Sequence, residues 1–140
     1  MSVRGKLRRE EGAAAVEFAL IVGLLAILIF GLLEYGLAFW QVQNLRAAAR
    51  EGARVAAVRG DDTAVRDAME EAAVGSLNGS WTFTRSRTCD DTQPNLGQEV
   101  TITINNASLP GSVQEAFRVN IPFIPLITVN PTLSGTFRCE

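Results

Sequence analysis

Residues Phe18–Leu33 read FALIVGLLAILIFGLL, sixteen positions without a charge or a strongly polar side chain. After Glu34 the run resumes as YGLAFW, so Phe18–Trp40 supplies 23 residues with a single charge. At about 1.5 Å per residue this makes a helix roughly 34 Å long, enough for a hydrocarbon core of about 30 Å. Tyr35, Phe39 and Trp40 stand at its far end, where an aromatic belt is expected. A helix apolar on every side needs cover all round, and a chain of 140 residues has too little else to supply it. The sequence therefore predicts a membrane span at about residues 18–40.

Charge is distributed around this span in a graded way. Residues 1–12 carry Arg4, Lys6, Arg8 and Arg9 against Glu10 and Glu11, a net +2. Residues 13–60 carry four arginines against three glutamates, and residues 61–140 carry five arginines against ten acids. A basic start, an apolar middle and an acidic remainder fit a membrane-anchored protein with a solvated far domain. The leader charges place the N-terminus in the cytoplasm, because they lie closest to the apolar run and emerge first. Arg46, Arg50, Arg54 and Arg59, beyond the span, argue the opposite way. A secretory signal peptide would need small residues at a cleavage site after the run, where Glu34-Tyr35 and bulky Phe39-Trp40 stand instead.

The residues just before the run are Arg8-Arg9-Glu10-Glu11-Gly12-Ala13-Ala14-Ala15-Val16-Glu17-Phe18-Ala19-Leu20. A short basic leader ending in glycine, with a glutamate at the fifth position after it, resembles a type IV prepilin processing site. The wording GAAAVEFAL, followed by the apolar run and Glu34-Tyr35-Gly36, resembles the TadE-like minor pilins (pseudopilins) of the Tad (Flp) pilus. The resemblance covers residues 8–60. It implies a leader at residues 1–12, removed by a membrane prepilin peptidase between Gly12 and Ala13. It also implies that Glu17 pairs with the new α-amino group of a neighbouring subunit and sets the axial register of assembly. The implied partners are that peptidase, other pilin subunits met through the N-terminal helix, and the inner-membrane pilus assembly machinery. Glu10 and Glu11 depart from a purely basic approach to the scissile bond.

The residues themselves support these roles. Gly12 lets a peptidase hold its carbonyl closely in an extended conformation. A carboxylate such as Glu17, at the edge of hydrocarbon, is stabilised by an opposite charge. Glu17 is equally readable as a first-turn acid favoured by the helix dipole. Glu34 reaches water at the outer interface or pairs with an arginine of a neighbouring helix.

Beyond Trp40 the helical pattern continues, with Val42, Leu45, Ala49, Gly52 and Ala56 at steps of three and four. These small residues allow close approach, either to other helices or to the chain's own far domain. Arg46, Arg50 and Arg54 follow i, i+4 spacing, and Glu51 is placed to pair with Arg54. One continuous helix from about Ala13 to Val58 is expected. After Gly60-Asp61-Asp62, a second helix capped by Asp62 or Thr63 is expected, with an apolar stripe of Val65, Ala68, Met69, Ala72 and Leu77. Its acids Asp67, Glu70 and Glu71 are assigned to a solvated face.

The period then changes to two. Trp81–Thr84, Val100–Ile104, Phe117–Ile121, Leu126–Val129 and Leu133–Arg138 read as strands, with a turn at Asn105-Asn106 and interruptions at Pro122, Pro125 and Pro131. The expected fold is α+β: a long N-terminal transmembrane and spine helix (13–60), then a small extracytoplasmic domain (61–140) of a short helix and three to five antiparallel strands. Cys89 and Cys139 close a loop of about 50 residues if the domain lies in an oxidising compartment, which the topology favours over free thiols.

The absence of histidine removes the commonest general base and metal ligand. No nucleotide loop, zinc-type cluster or nucleophile-and-base constellation is visible, and the basic residues form no nucleic-acid footprint. The sequence points to a non-enzymatic subunit without cofactors. The competing reading is an uncleaved single-pass protein serving as assembly factor or receptor.

Overall fold

The computed structural model describes residues 3–58, 60–89, 97–121 and 124–140, with side chains from Gly12 onward. The leader side chains Arg4 to Glu11, together with Arg59, the acidic stretch after Cys89 and Pro122, lie outside the described residues.

Helix α1 runs from Val3 to Ala57 without interruption, 55 residues containing no proline. It starts well before the expected Ala13. Past Gly60 the chain reverses, as Gly60 N–H donates to Val55 O at 3.1 Å. Arg85 completes the end: Nη2 donates to Ala56 O at 2.9 Å and Nη1 to Gly60 O at 2.8 Å. Terminal helix carbonyls need such donors, and a guanidinium also suits the negative end of the helix dipole.

Helix α2 spans Asp62–Ala72, and its cap is Asp61, whose side chain accepts from Ala64 N–H at 2.7 Å. The expected caps Asp62 and Thr63 are displaced by one register, because a carboxylate at Asp61 reaches the N–H three residues on. α2 also stops before Leu77, since Val74 and Gly75 take positive φ and turn the chain. Leu77 is nevertheless buried, reached from the turn instead of the helix.

The strands are β1 Phe83–Arg85, β2 Glu99–Ile104, β3 Arg118–Val119, β4 Ile127–Thr128 and β5 Ser134–Arg138. One antiparallel sheet has the order β1-β2-β5, with β2 in the centre, and β3 and β4 form a separate antiparallel pair. Central β2 pairs Phe83 with Ile104 on one side and Ile102 with Gly135 on the other. Its alternation buries Val100, Ile102 and Ile104, while Thr101 faces away and meets Thr136 Oγ1 at 3.0 Å.

Three sequence expectations are corrected here. The strand read at Phe117–Ile121 shrinks to Arg118–Val119, because helix α3, Gly111–Ala116, precedes it and Phe117 closes that helix by donating to Gln114 O. The strand read at Trp81–Thr84 begins only at Phe83, because Trp81 turns into the core. The turn at Asn105-Asn106 becomes a 3₁₀ turn, Asn106–Ser108, capped by Asn105.

The core lies where α1 meets α2 and the sheet. Leu45, Ala48, Ala49, Ala53 and Ala56 of α1 are fully buried against Val65, Met69, Trp81, Val100, Ile102 and Leu133. Small residues on α1 let its neighbours approach closely. A Cβ on Gly52 would lie 2.5 Å from Met69 Cγ. Asn44 fixes the far end of α2 by donating to Ser76 Oγ at 2.8 Å and to Ala73 O. Cys89 and Cys139 form a disulfide that ties the segment after β1 to the end of β5.

Candidate functional site

Helix α1 changes character at about Ala38. From Ala38, buried positions recur at Gln41, Val42, Leu45, Ala48, Ala49, Ala53 and Ala56, the one-sided pattern of a helix packed on a domain. Before it, Val16, Phe18, Leu20, Ile21, Leu24, Leu28 and Leu32 are all exposed, and no residue of the most apolar window is buried among the described residues. One helix thus serves as core on one half and as uncovered apolar rod on the other. An uncovered apolar rod of this length needs lipid or other helices around it.

The sequence-predicted residues fall on both halves. Gly12, Ala13 and Glu17 lie on the uncovered half of α1, all exposed. A Cβ added at Gly12 would meet nothing within 4 Å among the described residues. Its backbone is helical, whereas a peptidase would need it extended. Glu17 is five residues beyond Gly12, about 7.5 Å along the axis, among exposed Val16, Phe18 and Leu20. Glu34 is half-buried and has no ion-pair partner among the described residues. The processing residues and Glu34 are therefore not brought together, and α1 strings them along one axis. Cys89 and Cys139 sit on the folded domain, away from both.

The C-terminal half of α1 carries charge where the sequence placed it. Arg54 Nε donates to Glu51 Oε1 and Oε2 at 3.0 Å, and these bonds hold the Glu51 carboxyl below the usual carboxylate range. Arg46 Nε donates to Thr132 O at 3.2 Å, tying α1 to the stretch before β5.

Residues 12–54 match the family model described as TadE-like protein. This segment is similar to TadE-like proteins. The match runs from the glycine through the uncovered half of α1 and into the half that packs on the domain, as the sequence resemblance implied. The match covers 43 of the 140 residues, so it is a likeness of this segment, and the segment includes the one described helix long and apolar enough to cross a membrane. No curated protein and no solved structure matches the chain.

Sequence reasoning missed several positions that shape the long helix and its domain. Glu70, assigned to a solvated face, accepts from Trp81 Nε1 at 2.9 Å and lies 3.8 Å from Arg66. Arg66 in turn stacks over the Trp81 ring at 4.5 Å. Arg66 and Glu70 stand at i, i+4 on α2, but no spacing rule brings Trp81 to them, because that contact depends on the turn between α2 and β1. Arg85 was likewise invisible as a cap, since it comes from a different element. Ile121 was read only as a strand residue, yet it packs on α1 at Gly31, in the middle of the apolar run.

Proposed function

We propose that the chain is a non-enzymatic, pilin-like membrane subunit, processed between Gly12 and Ala13 and assembled through α1. The observation that carries this reading is the division of α1 into a core half and an uncovered apolar half within the segment that matches the TadE-like family. A subunit built this way keeps its folded domain while its apolar half exchanges lipid for neighbouring helices during assembly.

Removal of residues 1–12 by a prepilin peptidase gives Ala13 a free α-amino group at the membrane edge. Glu17, one turn further on, then offers its carboxylate to the amino group of an adjacent subunit. Pairing two charges at the rim of the hydrocarbon makes one axial offset favourable and sets the register. The precursor sits in the inner membrane with its N-terminus cytoplasmic, and the disulfide-bonded domain is extracytoplasmic. Its size favours a minor or priming subunit over a shaft pilin, with adhesion or secretion as the use of the assembled pilus. The partners are the peptidase, other pilins and the assembly machinery, with no cofactor.

One observation favours the second reading, an uncleaved single-pass assembly factor or receptor. α1 passes through Gly12 and Ala13 without a break, so cleavage requires the helix to unwind there. Glycine lowers that cost by about 1 kcal/mol relative to alanine.

The reading is tested with Glu17→Ala. Incorporation of the variant into sheared pili is expected to fall sharply, while membrane level and processing stay unchanged. Normal incorporation would remove Glu17 from the register-setting role.

A further inference from the structure

Where the apolar run ends, a groove beside α1 remains that the function above does not use. Buried Ala38 and Val42 line it together with exposed Tyr35 and Phe39, and Val129 and Pro131 close it from the domain side. Gln43 and Arg46 line its end further along α1. Its volume is about 190 Å³, room for part of one hydrocarbon chain.

Depth sorts these residues by polarity. With Trp40 as the outer end of the span, Tyr35 lies about 7.5 Å inside the hydrocarbon, Gln43 about 4.5 Å beyond it and Arg46 about 9 Å beyond. The polar layer of a leaflet is roughly 5–7.5 Å thick, and helical side chains lean towards the N-terminus. The Arg46 guanidinium therefore falls at the level of lipid phosphates.

The polar groups at this end have hydrogen bonds to spare. Arg46 donates from Nε to Thr132 O at 3.2 Å, and its two terminal nitrogens have no partner among the described residues. Gln43 is half-buried, and its carboxamide makes no hydrogen bond among the described residues. A half-buried polar group without a partner favours a ligand that brings one. Arg50, exposed one turn further on, adds a second positive charge. Glu51 is held by Arg54, and Glu34 lies twelve residues before Arg46, about 18 Å along the axis, so neither acid neutralises this end.

From the domain side inwards, the groove presents a cation, a carboxamide and then apolar walls. A phospholipid presents phosphate, ester carbonyls and acyl chains in the same order. A guanidinium matches phosphate geometry with its paired N–H groups. A zwitterionic headgroup would bring its own ammonium against Arg46 and Arg50, whereas an anionic one brings no such repulsion.

We propose that this groove binds one anionic phospholipid of the leaflet on the domain side. Its phosphate sits on Arg46, an ester carbonyl accepts from Gln43, and part of one acyl chain lies between α1 and the domain. This rests on the membrane-anchor reading of α1, to which it adds a lipid preference.

The full chain is placed in phosphatidylcholine vesicles doped with either phosphatidylglycerol or phosphatidylcholine brominated along one acyl chain. Tyr35→Trp, made together with Trp40→Phe, reports the groove. Leu37→Trp, in the same background, reports a similar depth about 200° round the helix. Buried Trp81 contributes equally to both. At equal mole fraction, brominated phosphatidylglycerol is expected to quench Tyr35→Trp with about fivefold higher apparent affinity than brominated phosphatidylcholine, the usual gain for one cation at an anionic surface. Leu37→Trp should show no such preference. Arg46→Gln is expected to abolish the preference, and Arg46→Lys, which keeps the charge, to retain part of it. No preference at Tyr35→Trp, or one that survives Arg46→Gln, overturns the lipid site alone. An equal preference at Leu37→Trp marks general enrichment around the helix and overturns it too. Equal loss in Arg46→Lys and Arg46→Gln shows that only the tie to Thr132 matters, which also overturns it. Quenching at Leu37→Trp with none at Tyr35→Trp shows protein, such as a second copy, in the groove and overturns the proposal. No quenching at either position overturns the anchor reading and the proposal with it.

Discussion

At Gly135 the sheet and the long helix touch through backbone alone. A Cβ there would clash with Ala49 O and stand 2.5 Å from Arg50 Cα, neither of which can swing aside as a side chain can. Gly135→Ala is therefore expected to destabilise the domain by roughly 1–3 kcal/mol, the range for overpacking, and to lower its urea midpoint. Gly23→Ala, where a Cβ meets nothing within 4 Å, should leave that midpoint unchanged. The Ala-rich face of α1 was legible from Leu45, Ala49 and Ala56 at helical spacing. The need for glycine at 135 was not, because it arises from how β5 crosses α1. Glu70 teaches the same lesson in polar form: its sequence neighbours suggest a solvated face, but the Trp81 indole arrives from the other side of a turn.

Among the elements, α1 was the most legible, since an apolar run without proline admits few other conformations. Central β2 was nearly as clear, its Val100, Ile102 and Ile104 alternating as observed. The disulfide was also anticipated, from compartment and topology. Helix α3 escaped because six residues with Pro110 and Gly111 at their start carry too little periodicity to read. What holds it is tertiary, as Val113 and Phe117 are buried in the core. The end of α1 depends in the same way on a distant donor. Arg85→Ala removes the hydrogen bonds to Ala56 O and Gly60 O, together with those to Arg87 O and Asp62 Oδ1, from a guanidinium whose side chain is 10% exposed, and is expected to cost about 1.5–3 kcal/mol. Arg85→Lys should recover only part of this, because an ammonium lacks the planar fork that reaches both carbonyls. Urea unfolding of the three proteins, followed by Trp81 fluorescence, checks the order wild type, Lys, Ala. Equal stability of all three would show that the cap contributes nothing.

On the scale of the whole molecule, the division of labour along α1 links sequence, fold and proposed use. Its C-terminal half stabilises the domain, and its N-terminal half is left for lipid or neighbouring subunits. On the proposed function, this division lets the folded part stay intact when the subunit exchanges lipid for neighbouring helices. Gly12, Glu17 and Glu34 all lie on α1, so their spacing in sequence is their spacing along the helix. The most direct test of the central claim is the intact mass and N-terminal sequence of the protein from membranes, with and without its prepilin peptidase. The account predicts a chain beginning at Ala13 only when the peptidase is present. A chain beginning at residue 1 or 2 in both samples would contradict it and leave α1 as a permanent anchor.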